Sequence, residues 1–208
     1  MYKLKNGMDF SITYSFNSVE NSEHFTKLNR KVARNPDFYD EMLTVAKTNA
    51  GLAIYAATII GNNIGSFISD YFLASSEQRE EGDVRNVLFH ECFVSSSVLS
   101  FNTRRDILFK ILNSNNYCSR KKKDSLHRNL KLLQEWRNAF AHGHFSLVIE
   151  HEHIQVAFNS NGDQEMILDD SKWKEIDLII DDIRSTLNAI SLKLMKERNC
   201  HTVLEGQK

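Results

Sequence analysis

Lys123 to Gly143 reads KDSLHRNLKLLQEWRNAFAHG, and whether this stretch is helix or strand decides the class of the chain. On a wheel of about 100° per residue with Leu126 at zero, Leu130, Leu132, Leu133, Trp136, Phe140 and Ala141 form one broad apolar arc. The spacing predicts a helix over about 123–141, with Gly143 as its C-terminal cap. Arg137 falls inside the arc. A guanidinium cannot lose its charge, so it needs a carboxylate, carbonyls, a phosphate or a watery cleft. An ion pair with an acid such as Asp70, Glu91 or Asp106 would meet that need, and so would an anionic ligand.

Upstream, Pro36 follows Asn35 as a first-turn residue, and Met42, Val45, Leu52, Tyr55, Ile59 and Phe67 recur at helical spacing. A long first helix is expected, with Gly61 and Gly65 interrupting it rather than making a close crossing. Ser75 to Gly82 reads as a turn, and a second helical stretch starts near Asp83 and restarts with Thr103 as a cap for Ile107, Leu108, Ile111 and Leu112. Beyond Gly143 the period changes from 3.6 to 2. Phe145 to Glu150, His153 to Phe158 and Glu165 to Leu168 read as strands, with turn chemistry at Asn161 and Gly162. Asp170 or Ser171 then opens a last helix, patterned by Ile176, Ile179, Ile180, Ile183, Leu187, Ile190 and Leu194 and running to about Arg198. Residues 1–35 form an N-terminal arm, with strand or loop over Met8 to Phe16. The expected fold is mainly α: four to five helices in one domain over 1–208, with a small antiparallel β insertion, 145–168, before the last helix.

Twenty-six Lys and Arg against 27 Asp and Glu give a net charge of −1, which excludes a globally basic nucleic-acid binder and makes any polyanion site local. Cys92, Cys118 and Cys200 show no C-x-x-C spacing, so reduced thiols and a cytoplasmic location are expected. The apolar run Ala50 to Ile60 ends at Gly61, Asn62 and Asn63, too short for a bilayer, and the N-terminus lacks a signal-peptide pattern. No membrane partner is expected. A single proline and eight glycines favour long helices over a turn-rich β fold.

The candidate chemistry lies at Arg137, Asn138 and His142: a fixed cation, an amide and an imidazole that can take or give a proton near neutrality. Asn138 and His142 are four apart, so the amide can orient the ring. Arg137 and His142 lie about 140° apart on an ideal helix. Their convergence on one ligand requires the helix to loosen near Gly143, or a second copy of the motif facing the first. Arg120, Lys121, Lys122 and Lys123 form a basic run earlier on the same helix that can guide RNA phosphates, and His144 beside the motif joins that candidate surface. A surface merely solvated is its bland counterpart. His142, His144, His151 and His153 form two H-x-H pairs, a metal-binding alternative that no Cys or carboxylate at ligand spacing completes. Cys92 near His90 reads as a core thiol between Phe89 and Phe93, Ser95 to Ser97 lack a nucleophile elbow, and no Gly-rich phosphate loop occurs. No cofactor is expected.

An Arg-Asn-x-x-x-His run closing a helix resembles the HEPN superfamily, whose motif is Arg, four to six residues, then His, often with Asn directly after the Arg. Leu133 to Gly143 is similar to that family's third-helix signature, and motif placement before the last helix agrees with its up-and-down bundle. The resemblance implies a metal-independent endoribonuclease in which Arg137, Asn138 and His142 are catalytic and two protomers pair motif to motif. It implies a 2′,3′-cyclic phosphate and a 5′-hydroxyl as products, and a setting in prokaryotic defence or toxin-type growth arrest, with a regulatory or antitoxin protein as a further partner. Toxins of one branch, paired with a nucleotidyltransferase antitoxin, carry a Tyr two residues beyond the motif His. This chain has His144 there, a departure from that branch. Other members are non-catalytic modules that bind RNA or protein, which is the alternative reading.

Overall fold

The computed structural model describes residues 36–73, 89, 91, 99–148, 153–159 and 162–205. The N-terminal arm, the turn over 75–82, most of the stretch from Asp83 to Val98, and His151 lie outside the described residues. The elements are α1 (Pro36–Phe72), α2 (Phe101–Ser114), α3 (Arg120–His142), β1 (His144–Val148), β2 (His153–Asn159), β3 (Asp163–Ile167) and α4 (Asp170–Glu205). The protein is mainly helical, with a small antiparallel sheet between α3 and α4.

The chain resolves into two compact units, neither of them a continuous stretch of sequence. The first takes in α1 up to Ala57, α3 from Leu132, the sheet, and α4 up to Ile180; the second takes in α1 from Thr58, α2, α3 up to Lys131, and α4 from Asp181.

In the first unit the strands follow the order β1-β2-β3, with Phe145 opposite Val156, Leu147 opposite Ile154 and Val156 opposite Met166. Alternation sets the buried face of β2, where Ile154 and Val156 are inside. Gly162 takes a φ of +116° in the turn before β3, a conformation that suits glycine. The Phe140 ring at the end of α3 lies 6.3 Å from that of Phe145 on β1 and 5.6 Å from that of Trp173 on α4, a cluster that pins the sheet to both helices. α4 begins at Asp170, as the sequence reading had it, and Asp169 before it is the cap: its carboxylate accepts from Lys172 N at 2.7 Å. Leu168 N, donating to Ile154 O at 2.8 Å, sets the start of that helix against the sheet.

Gly143 does not adopt the left-handed conformation expected of a glycine cap. Its N–H donates to Ala139 O at 2.7 Å, and the chain passes directly from α3 into β1. Glycine is required here for closeness. A Cβ at Gly143 would lie 2.3 Å from Ala139 O and 2.5 Å from a Val156 methyl.

In the second unit, Gly61 lies within an unbroken α1 rather than interrupting it. It is a point of close approach to α2, where a Cβ would come 3.2 Å from the Phe101 ring. The Gly61 carbonyl accepts from Arg104 Nη1 at 3.0 Å, and Asn62 Oδ1 accepts from the same nitrogen at 3.2 Å. Burial pushes the Arg104 guanidinium below its ordinary value. Ser100, not Thr103, caps α2, its hydroxyl accepting from Thr103 N at 3.1 Å. Leu108, Leu112, Leu126, Leu130, Ile183 and Ile190 fill this unit's core.

Because α1 is continuous, its Asp40–Phe72 portion is long and apolar enough, by length and composition, to cross a membrane, which the shorter run Ala50 to Ile60 did not indicate. Half of the most apolar window is buried within the protein, and Ala53, Ala56, Ala57, Ile60 and Ile64 are almost wholly covered, as in a core helix.

Candidate functional site

Arg137, Asn138 and His142 lie within the last six positions of α3. The helix runs here because its buried positions, Leu133, Trp136, Ala139 and Phe140, recur every three or four residues. It ends where the approach of β2 to Gly143 leaves room only for a glycine. The helix stays α-helical through His142, so it does not loosen to bring the ring toward the guanidinium. Within one chain the five-residue offset keeps the two side chains on different stripes.

Arg137 is half-buried, whereas Asn138 and His142 are exposed. Arg137 Nη1 donates to Asn138 Oδ1 at 3.2 Å. The amide thus engages the guanidinium, and among the described residues it makes no hydrogen bond to His142. Nor does Arg137 form an ion pair among the described residues. Among the described residues nothing else engages the guanidinium fork, whose other donors suit an anion.

His144, the first residue of β1, is exposed and opposite Ala157 in the sheet register. It follows Gly143, so the motif and His144 are joined by one residue. The sequence reading missed Lys172: its ammonium lies 5.8 Å from the centre of the Trp136 ring and pairs with Glu175 Oε2 at 2.6 Å. The whole β insertion separates Lys172 from Trp136 in sequence, so no local spacing could have paired them.

The basic run divides by partner. Lys123 Nζ donates to Leu112 O at 2.7 Å and Asn113 Oδ1 at 3.1 Å, fastening the end of α2 to the start of α3. Arg120, Lys121 and Lys122 are exposed and have no side-chain partner among the described residues. Among the described residues, no group of three or more His, Cys, Asp or Glu side chains is placed to hold a metal ion.

Comparison of the chain with protein-family models, curated proteins and solved structures gives no match.

Proposed function

We propose that this protein is a HEPN-type endoribonuclease, a helical bundle of the up-and-down kind that acts as a homodimer and cleaves RNA without a metal. One observation carries the reading. A half-buried arginine with no carboxylate partner among the described residues shares the end of a helix with an exposed histidine. Packing alone does not call for that combination.

Cleavage proceeds by attack of the ribose 2′-oxygen on the adjacent phosphorus, with loss of the 5′-oxygen. His142 accepts the 2′-OH proton or donates one to the leaving oxygen, work typically worth about 10²- to 10⁴-fold. The Arg137 guanidinium holds the phosphorane oxygens through paired N–H donors. Asn138 holds the guanidinium in position, and a second protomer supplies the complementary group across the cleft, since one helix keeps Arg137 and His142 apart. Arg120, Lys121 and Lys122 attract the RNA backbone, and His144 borders the substrate. The cytoplasm, and a regulated role in growth arrest or defence with a controlling partner, suit an activity that would otherwise harm its own cell.

That no bond orients His142 among the described residues favours a second reading, a non-catalytic module that binds RNA or protein through the same surface. Incubation of total RNA with wild-type protein and with His142→Ala, chelator present throughout, separates the two. Cyclic-phosphate ends that disappear in the variant support the enzyme; RNA left intact by a folded wild-type dimer refutes it and leaves the binding module.

A further inference from the structure

No Phe, Tyr or Trp falls between Arg120 and Lys131, so the basic run of α3 has no ring of its own apart from the imidazole of His127. Tertiary structure within the second unit supplies another. The ring of Phe109, on α2, lies 4.8 Å from that of His127 and at 73° to it. The same edges of the two helices meet again where Lys123 Nζ donates to Leu112 O and Asn113 Oδ1. Lys123, His127 and Lys131 are spaced by four residues, so Lys131 continues the edge of α3 that the first two turn toward α2.

His127 is exposed and Phe109 half-buried. The inner ring anchors the outer one, so the imidazole has its direction set before any ligand arrives, and little side-chain freedom is left to lose on binding. Near the pair in sequence, Lys110, Arg128 and Lys131 are exposed, and none has a side-chain partner among the described residues. Carboxylates are few: α2 carries Asp106, paired with Arg105 at 3.3 Å, and Arg120 to Lys131 include only Asp124 against six Lys and Arg. A preset π surface amid excess positive charge matches a nucleotide strand, in which every base has a flat face and every phosphate a negative charge. An acidic peptide would answer the charge and leave the rings unused.

We propose that the Phe109–His127 pair is a stacking platform on which an unpaired RNA base docks, with Lys110, Arg128 and Lys131 holding the neighbouring phosphates. The inference rests on the proposed action on RNA and adds to it a docking point outside the Arg137-Asn138-His142 motif. A base within a duplex is already stacked on its neighbours, so the platform engages only an unpaired stretch.

The test is fluorescence anisotropy of a labelled twelve-nucleotide 2′-O-methyl RNA strand at fixed salt, with the full chain. That strand has no free 2′-hydroxyl, so the proposed cleavage cannot consume it. An abasic strand of the same length carries the same phosphates without the bases. Wild type is expected to bind the base-bearing strand about tenfold more tightly than the abasic one. His127→Lys keeps a positive charge and removes the ring; it should weaken binding of the base-bearing strand by about tenfold and leave the abasic strand unaffected. His127→Tyr keeps a ring and should retain wild-type affinity, while Phe109→Leu, which removes the supporting ring, should cost about threefold. Thermal melts establish that each variant is folded. The proposal is overturned if wild type binds the two strands equally, if His127→Lys and Phe109→Leu, still folded, bind like the wild type, or if polyglutamate displaces the strand as well as unlabelled strand does. Cleavage of unmodified RNA by the wild type is scored separately: its absence counts against the ribonuclease reading alone, and binding of neither strand overturns the platform whatever the cleavage assay gives.

Discussion

Arg137 donates from Nη1 to the side-chain oxygen of its own chain neighbour, Asn138, at 3.2 Å. Adjacent helical residues do not face one another, so this bond bends the guanidinium around the helix toward the exposed side. The contact leaves the full positive charge in place, because an amide oxygen satisfies one donor and neutralises nothing.

His142→Ala and Arg137→Lys are therefore expected to separate activity from stability. His142 is exposed, so its loss should shift unfolding by no more than about 0.5 kcal/mol while reducing RNA cleavage by about 10²-fold or more. Arg137→Lys keeps the charge but loses the planar fork and should also impair cleavage. Paired urea melts and single-turnover cleavage assays check both; a large loss of stability in His142→Ala would argue for a structural role.

Two glycines should respond to alanine with opposite sign. At Gly143 the added methyl would overlap Ala139 O and Val156, and destabilisation of about 3 kcal/mol or more is expected. At Gly51, exposed within α1, an added Cβ meets nothing within 4 Å. Gly51→Ala should stabilise by about 0.5–1 kcal/mol. Urea denaturation midpoints at constant slope measure both.

Lys121 and Lys123, two residues apart, are expected to behave differently. Lys121→Ala should weaken RNA binding and lower the salt dependence of log K by about one unit, with stability unchanged. Lys123→Ala removes the bonds to Leu112 O and Asn113 Oδ1 and should destabilise the fold by about 1–3 kcal/mol. Salt titrations of RNA affinity beside thermal melts distinguish these outcomes.

Burial pushes the Cys118 thiol up, outweighing the opposing pull of Lys123, Lys122 and Lys193. A raised value means less thiolate at a given pH, so Cys118 should alkylate more slowly at pH 8 than a cysteine in an unfolded peptide. Lys193→Gln should slow it further. The native state holds this proton more tightly than the unfolded chain does. Its stabilising contribution is therefore complete below the unfolded thiol value and is lost as pH rises through the folded one. Rates of labelling between pH 7 and 10 test the direction; a Cys118 faster than the peptide control would contradict it.

Where a local pattern carries the information, the sequence was readable. Alternation placed the three strands of the insertion, although β3 begins at Asp163 rather than Glu165, and the 3.6-residue period marked α3 and α4. Most of the errors fall where a distant element intervenes, and one, the cap of α2, is local. Gly61 looked like an interruption because nothing nearby announces that Phe101 packs against it. Ala141 lies on the ideal apolar arc yet is exposed, and Ala139 off that arc is buried, at the helix end that β2 approaches. Thr103 looked like a cap because Ser100, three residues before it, carries the same chemistry.

By itself the sequence determined that the chain is mainly helical, that α3 ends in Arg137, Asn138 and His142, and that a β insertion follows. These depend on periodicity and on the order of residues along one segment. Only the tertiary structure decided that Gly143 must be glycine, that Lys123 is committed to α2 while Lys121 is not, and that Phe109 stands against His127. Those depend on which atoms of distant segments come within a few ångströms, and hydrophobic periodicity, which reports only the buried side of each element, does not specify its neighbour.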